Sequence, residues 1–591
     1  MAITAGWQCL FIFIGLVLVI ASMMSASFFS FEYTKPLVDY PSTTWEYKDW
    51  AIVGDSDHCV AVAKNILLKQ KGAIGDAAVA ALACMAVLLP HRCGLGGGMM
   101  ALYYDESQRT VSALEALGAE PYRSNASWFG ANATLASYGR LATITPGALA
   151  GLFALHKRLG RLKWSTVLKP AIDIVQRNIL VGPRVAEAIR RNEQRIGSLY
   201  SRMFLKDNTG LYIRANRRLY KLLIDVATEG WKCFYTGKHA KRLEDDITRD
   251  LGWLAVDDLE RYEPHWIEPI ALSMHTGKTL YAVPIPGGGA LLGPILDLVN
   301  VTDGKLRLRA AKSVPHTHIP KLHRLVELLK FTYAQKASLG DTLVIRTRAQ
   351  HNYTVQVLRS FYGAYDPRAA LKTYAEYNAT ASIDYDDGGG AHLALRDKRG
   401  NALSIVMSLN WEFGCLYMSS CGFLMNNFMD SFSIPGGRNG LPMSENNANG
   451  MVKRPVTTMT PVIITDAKDG ALFAALGATG GLQGISAMGQ FLECIGTFAV
   501  LDCAHNSVRV HPYPDKNTFS LTVGPKLGGF DPEKELKNFG HNIVNKPLTA
   551  TLNGIVLTDR NTWIAAGDVN YTDGGTRGEQ YVHPILKNVA H

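Results

Sequence analysis

A glycine run that opens a strand can hold one backbone position against a ligand, because no Cβ keeps the two apart. Residues 388–393 read Gly-Gly-Gly-Ala-His-Leu, and the chain continues through a turn at Arg399-Gly400-Asn401 into a second strand carrying Ser408 and Asn410. The residue best placed to act on a ligand at this entry is Gly390, which has no side chain. The stretch thus has the outline of a catalytic site and lacks the group that would do the catalysis. His392 reads as a packed core histidine rather than a catalyst. No Cys-x-x-Cys pair or Cys/His cluster has zinc spacing. His316, His318 and His323, in "PHTHIPKLHR", are interrupted by Pro320 and read as a polar loop entering a helix, so no metal is expected. The glycines of "HRCGLGGGMMALYYD" (91–105) follow a helix and precede a strand. That order fits neither a phosphate loop nor a dinucleotide fingerprint, so they read as close backbone packing around a pocket, and no cofactor is implied.

Holding such a turn takes a layered core. "GAIGDAAVAALACMAVLL" (72–89) is small and apolar on nearly all faces, which predicts a buried helix stopped by Pro90. Residues 143–260 are helical in character, with amphipathic stretches at Ala148–Leu159 and Pro183–Arg195, and another follows at Ile319–Leu339. Strand-like runs fall at 98–115, 279–284, 391–410, 461–476 and 507–523. A chain of 591 residues could hold roughly four domains at about 150 residues each. Yet no low-complexity linker or internal repeat divides it, and helices and strands are mixed throughout. One large layered α+β domain is expected.

The formal charge of +10 is spread thinly, without a run of five like charges or a basic stripe with interleaved aromatics, so no nucleic-acid partner is expected. After a short tail (1–6), Trp7 to Phe29 is almost wholly apolar and long enough to span a bilayer as a helix. Ser25-Ala26-Ser27 leaves a cleavable signal peptide as the rival. No Lys or Arg precedes the segment to fix its orientation. Both readings export the remainder: a stalk over 30–57 and an ectodomain over 58–591. N-x-[ST] triplets at Asn125, Asn132, Asn300, Asn352, Asn378 and Asn570 agree with export and glycosylation. So do the eight cysteines outside the apolar segment, an even number suited to an oxidising compartment.

Seven blocks together resemble the gamma-glutamyltransferases, also called glutathione hydrolases. They are "GAIGDAAVAALACMAVLLPHRCGLGGG" (72–98), "TITPGALAGLFALHKRLGRLKW" (143–164), "LHRLVELLKFTYAQKASLGD" (322–341), "DGGGAHLALRDKRGNALSIVMSLNWEFG" (387–414), "GFLMNNFMDSFS" (422–433), "KRPVTTMTPVI" (453–463) and "LGATGGLQ" (476–483). The resemblance covers roughly residues 50–590 in the family's order. It implies an αββα sandwich of the N-terminal-nucleophile hydrolase type, a single-pass type II plasma-membrane anchor with an extracellular ectodomain (or a secreted form), and a Cys59–Cys84 disulfide. In the family one precursor cuts itself into a large and a small subunit, to which 58–389 and 390–591 would correspond here, although this chain is expected to stay uncleaved. The threonine exposed by the cut attacks the gamma-glutamyl amide of glutathione, with its own α-amine as base, and water or an acceptor amine resolves the acyl-enzyme.

Carried over residue by residue, the pattern D-G-G-T-A-H-L becomes Asp387-Gly388-Gly389-Gly390-Ala391-His392-Leu393, so Gly390 stands at the threonine position. Losing a covalent nucleophile removes roughly 10⁴-fold or more of rate, and self-cleavage should fail with it. Thr380, ten residues upstream, and Ser408, on the next strand, are not obvious substitutes. The arginine of R-E-x-A-P becomes Leu114 ahead of Glu115, or Leu117 if Pro121 is aligned, and either register removes a bidentate cation for the substrate carboxylate. The acids of N-N-E-M-D-D-F become Phe428 and Ser431. Asp430 survives one residue off, which in a strand would face it away. Asn410 matches the family asparagine, Thr457 and Thr458 a serine pair, and Gly480-Gly481 the oxyanion-hole glycines. The plainer reading of the last four is structural. Three functions remain open: an uncleaved pseudoenzyme binding a gamma-glutamyl or other small peptide ligand weakly or not at all, or else an unidentified protein partner; an active hydrolase or transferase with a non-standard nucleophile; and a structural subunit of an active relative.

Overall fold

The computed structural model describes residues 45–580, apart from 131, 250, 307–318, 342–345, 384–387, 436–440, 451, 495–508, 516, 525–530 and 569–572. The tail 1–6, the apolar segment 7–29, His316, His318, Asp387 and Asn570 lie outside the described residues. Among the described residues no helix is long and apolar enough to cross a membrane.

Residues 45–57 of the stretch expected to be a stalk (30–57) belong to the folded domain instead. Trp45–Gly54 forms β1, a strand with neighbours on both sides, and Tyr47, Trp50, Ala51, Ile52 and Val53 are buried. Charged Glu46, Lys48 and Asp49 interrupt the apolar run and hid the strand from a pattern reading. Twelve further strands complete the sheet: β2 (Gly98–Asp105), β3 (Thr110–Ala116), β4 (His265–Ile267), β5 (Ile270–Met274), β6 (Lys278–Ala282), β7 (Ala391–Arg396), β8 (Ala402–Ser408), β9 (Thr460–Asp466), β10 (Leu472–Thr479), β11 (Thr551–Leu557), β12 (Trp563–Ala566) and β13 (Gly575–Gln580). Their order is β4-β3-β2-β8-β7-β1-β12-β11-β10-β9-β6-β5, with β13 also on β1. Strands β11 to β13 had no counterpart in the sequence reading, whereas β2, β3 and β6 to β10 fall on the runs identified there.

The ladder doubles back so that β7 and β8 face β9, β10 and β11. Val53, Leu102, Ala394, Val406, Ile463, Ala475 and Ile555 share the core between the two layers. Their sequence neighbours point the other way, since side chains alternate across a strand. Leu393, Leu403 and Ile405 pack under α1 (Asp57–Lys64), α2 (Ile74–Leu88), α3 (Ala148–Leu159) and α4 (Trp164–Val175). Val462, Ile464, Leu476 and Val556 pack under α5 (Leu292–Leu306), α6 (Ile319–Ala334), α7 (Arg346–Ala364) and α8 (Leu482–Cys494). Four layers result: helices, sheet, sheet, helices. The Cys59–Cys84 bond ties α1 to α2 at a Cα separation of 5.6 Å. Cys494 is also disulfide-bonded, and Cys93, Cys233, Cys415 and Cys421 are free thiols.

His323 is bound into a buried polar chain that anchors α6. Lys330 Nζ donates to Glu327 Oε1 (2.8 Å) and sits 3.1 Å from His541 Nδ1. His541 Nε2 lies 2.9 Å from His323 Nδ1, and His323 Nε2 lies 3.0 Å from Asp366 O. An ammonium only donates and a carbonyl only accepts. Both imidazoles are therefore neutral, each with its proton on Nε2. Tyr377 completes the group with its hydroxyl on Glu327. Although His323, Glu327 and His541 are close enough to hold an ion, the Lys330 ammonium already supplies the cation beside the carboxylate. Removing one partner of a buried ion pair strands the other and costs about 3–5 kcal/mol, while an apolar pair of similar shape is near neutral. Glu327→Leu alone should lose about that much in denaturant unfolding, and Glu327→Leu with Lys330→Met should recover most of it; equal losses for the two would refute the pairing.

Candidate active site

Three glycines begin the site. Gly389 N–H donates to Asn410 O (2.6 Å), Gly480 N–H donates to Gly389 O (3.2 Å), and Gly390 N–H donates to Arg92 O (3.0 Å). Gly388 bridges Trp411. A Cβ at Gly388 would lie 1.9 Å from Gly481 N, so that position takes only glycine. At Gly390 there is room: the nearest atoms to a Cβ would be Thr479 Cβ at 3.5 Å and Ser408 Cβ and Oγ at 3.7 Å. Its φ of +111°, however, is a conformation that L side chains avoid. The backbone leading into β7 therefore lies against Gly480-Gly481, and a peptide carbonyl of the chain itself takes the Gly480 N–H.

Arg92 holds this arrangement from the loop after α2. Its Nη1 donates to Gly390 O (3.3 Å) and Thr479 Oγ1 (3.2 Å), its Nη2 donates to Thr549 O (3.1 Å), and Nη1 pairs with Asp55 Oδ2 at 3.8 Å. Asp55 follows β1 directly and is fully buried. It accepts from His392 N–H (2.8 Å) and Asn553 Nδ2 (2.5 Å). Burial pushes its carboxyl up from the usual carboxylate range, opposed chiefly by the Arg92 guanidinium. Thr479 Oγ1 also bonds Thr551 Oγ1 at 2.7 Å. Neither Arg92, Asp55, Thr479 nor Thr551 was singled out from the sequence. Arg92 lay inside a glycine block read only as packing, and Asp55 inside the presumed stalk.

Several predicted residues meet here. Ser408, at the end of β8, accepts from Asn410 N–H (2.9 Å). Asn410 has φ +80°, a conformation asparagine tolerates better than most residues. Its Nδ2 donates to Asn427 O (3.1 Å), and its Oδ1 accepts from Ser431 Oγ (3.2 Å). Thr380 is exposed and outside these contacts.

The strand expected around 428–431 is instead a 3-10 turn, Phe428–Ser431. The two-residue alternation used for Asp430 does not apply, because positions three apart share a side of such a turn. Phe428 is fully buried in the core between the sheets, with Met429 and Phe432. Asp430 is buried too, and Ser137 Oγ donates to its carboxylate.

Leu114 packs under the α1–α4 layer and Leu117 between the sheets, both with no exposed surface. Glu115, buried beside them, is held by Arg346 (Nη1–Oε2, 2.7 Å) and Arg454 (Nε–Oε1, 2.7 Å). Both arginines escaped the sequence reading. Thr457 and Thr458 lie on the loop before β9, where Thr457 N–H donates to Pro286 O (2.8 Å) and Thr457 Oγ1 accepts from Met459 N–H (3.3 Å). For Thr457 these contacts satisfy backbone groups, and the Thr458 carbonyl accepts from Thr460 Oγ1 (2.6 Å). His392 is fully buried with Nε2 3.1 Å from Ser404 Oγ, which itself donates to Leu476 O. Burial pushes its imidazole down to about 3. Of the glycosylation candidates, Asn125, Asn132, Asn352 and Asn378 are exposed. Asn300 is engaged at both ends of its amide, by Ser273 O and His275 N–H, because it buttresses the turn after β5.

Four layers around a glycine-flanked strand start define an N-terminal-nucleophile hydrolase fold. A cephalosporin acylase from Bacillus halodurans superposes with TM-score 0.73 over 93% of this chain and 100% of its own, at 19% identity. The profile of the gamma-glutamyltranspeptidases matches residues 59–576, and the chain belongs to that family. Scoloptoxin SSD14 of Scolopendra dehaani is 31% identical over 456 residues, covering 75% of this chain and 78% of the toxin. The glutathione hydrolase proenzyme of Pseudomonas aeruginosa is 29% identical over 518 residues, covering 83% and 88%. Glutathione hydrolase 5 proenzyme of Homo sapiens is 28% identical over 470 residues, covering 74% and 78%.

Two outcomes follow from this geometry. Gly388→Ala should fail to fold or lose several kcal/mol, whereas Gly390→Ala should cost only about 1–2 kcal/mol of backbone strain; thermal unfolding of the two variants separates them. The second outcome concerns His392. Unfolded histidine takes up a proton near pH 6.5, and folded His392 not until about 3. The unfolded state therefore binds more protons across that window, and His392 costs the wild type stability as pH falls. The stability advantage over His392→Gln should shrink by about 1.4 kcal/mol between pH 7.5 and 5.5. A pH-independent difference would mean that the imidazole is not held neutral.

Proposed function

We propose that the chain is an exported, unprocessed and catalytically silent gamma-glutamyltranspeptidase-family protein that acts by binding. The observation carrying this reading is Gly390 at the nucleophile position. The packing of its neighbours supports it: the Gly389 carbonyl takes the Gly480 amide, so the continuous chain fills the place an acyl oxygen would use. The donor side agrees. Leu114 and Leu117 are core residues, and Glu115 already satisfies Arg346 and Arg454. No free cation at those positions awaits a carboxylate, and Phe428 fills space where the family pattern has an acid. A zwitterion buried without partners costs several kcal/mol, so glutathione in the family's pose binds weakly or not at all. The apolar segment 7–29 supports export, anchored or secreted.

A second reading makes Ser408 the nucleophile of an active hydrolase. It is favoured by one distance, the 3.7 Å between Ser408 Oγ and the Cβ position at Gly390. No base touches that hydroxyl in the described contacts, which bind it to Asn410 instead.

A denaturing gel and an assay decide between them. The silent binder gives one band of the whole chain and no release of chromophore from a gamma-glutamyl anilide. Two fragments parted at residues 389–390, or turnover abolished by Ser408→Ala, would overturn it. Glutathione up to on the order of 1 mM should shift the melting temperature little; a large shift would restore the family's ligand to this pocket.

A further inference from the structure

Large apolar side chains grouped in water mark a surface that something covers. Tyr122 (75% exposed), Trp128 (52%) and Leu251 (66%) fall on two loops that are pinned to each other. Tyr122 N–H donates to Asp258 Oδ1 (2.8 Å), and the Trp128 ring stands edge-on to Trp253, centroids 6.2 Å apart. Trp253 is buried, and buried Phe129 braces it at 5.4 Å. Trp128 is thus held in place from below while half of its surface faces water.

The same turn carries one of the N-x-[ST] triplets, Asn125-Ala126-Ser127. Asn125 caps the 3-10 turn Ala126–Phe129, and its carbonyl accepts from Trp128 N–H (3.1 Å). Residues three apart in such a turn come round to one side, which puts Asn125 and Trp128 on the same side. Asn125 Oδ1 is taken by Ser127 N–H (3.0 Å) and Ser127 Oγ (2.8 Å), whereas its Nδ2 has no partner among the described residues. In two other triplets that nitrogen is engaged: Asn300 Nδ2 donates to Ser273 O, and Asn378 Nδ2 to Ser360 Oγ. A pyranose ring presents a face of C–H groups rimmed by hydroxyls. The negative face of an indole complements those C–H groups and leaves the hydroxyls in water.

We propose that the chain's own N-linked glycan at Asn125 covers this patch, its first sugar lying across Trp128. The inference rests on the export reading above. In the modifying step Asn125 Nδ2 bonds to the anomeric carbon of a lipid-pyrophosphate-linked oligosaccharide. The C–O bond to the pyrophosphate breaks, the pyrophosphate leaves with the electron pair, and Nδ2 gives up one proton. The glycan then does for Trp128 what a partner subunit does elsewhere, removing apolar surface from water.

The test takes the full chain, purified from a eukaryotic secretory host, through peptide mass mapping and hydroxyl-radical footprinting. Asn125 should carry a glycan, and Trp128 should oxidise severalfold more slowly than in chain stripped with a glycan amidase. Trimming to the first sugar should keep the protection. Ser127→Ala, which deletes this triplet and leaves the one at Asn132, should expose Trp128 as fully as stripping does. A bare Asn125, equal oxidation with and without the glycan, or protection that persists in Ser127→Ala would each overturn the proposal. So would protection of Trp128 that grows with concentration in the stripped chain, because a second copy would then be the occupant. Glycans at Asn352 or Asn378 with Asn125 bare would remove this inference alone, whereas no glycan at any triplet would remove the export reading with it.

Discussion

One buried guanidinium organises the centre of this molecule. Arg92 reaches the carbonyl of Gly390, the hydroxyl of Thr479, the carbonyl of Thr549 and the carboxylate of Asp55. Its own carbonyl receives the amides of Gly390 and Leu409. Through these bonds one residue on a loop joins the starts or ends of strands from both sheets. A buried cation is tolerable only when its donors are met and a counter-charge is near. Asp55 is therefore as fixed as Arg92, and β1, which ends beside it, must sit between β7 and β12. The sheet order is a consequence as much as a cause of that pairing.

The constraint is independent of catalysis. Nothing in the contacts of Arg92 requires a hydroxyl at residue 390: those with Gly390, Thr549 and Leu409 are to backbone, and its side-chain partners are Thr479 and Asp55. Gly388 and Gly480-Gly481 are likewise held by steric limits, with a Cβ at 388 running into Gly481 and one at 480 coming within 2.6 Å of Ala550 Cα. A chain that lost its nucleophile would keep all of these for folding alone. Motif retention around a site is thus a poor measure of activity in this architecture, and the identity of the single residue at 390 carries far more information than the seven blocks around it.

Much of the fold was legible because its signals are local. The alanine-rich stretch became α2, and the period of Ala148–Leu159 became α3 with the same ends. The pair of runs after the glycine turn became β7 and β8. What escaped depends on distant partners. In β1, Glu46, Lys48 and Asp49 break the apolar alternation, and the strand is recognisable only through neighbours hundreds of residues away. The direction of Asp430 was argued as for a strand, yet the backbone at 428–431 closes a 3-10 turn whose hydrogen bonds no hydropathy pattern reveals. The site divides in the same way. Gly390, Ser408, Asn410 and Ser431 could be placed together from motif order. Arg92 and Asp55 could not, since their function exists only as a contact between loops far apart in the chain.

The position of β1 also has a bearing on biosynthesis. Tyr47, near the start of the described chain, bonds Thr576, near its end, across 529 residues. β1 is made hundreds of residues before β12 and β13, two of its three neighbours. At ribosomal speeds of about 5–20 residues per second, roughly half a minute or more separates the two. Through that interval an apolar strand waits without its ladder, exposed to mispairing with other nascent chains. Completion of the sheet therefore waits on the synthesis of residues 563–580, and the demand for chaperone protection is set by the sequence distance between β1 and these partners.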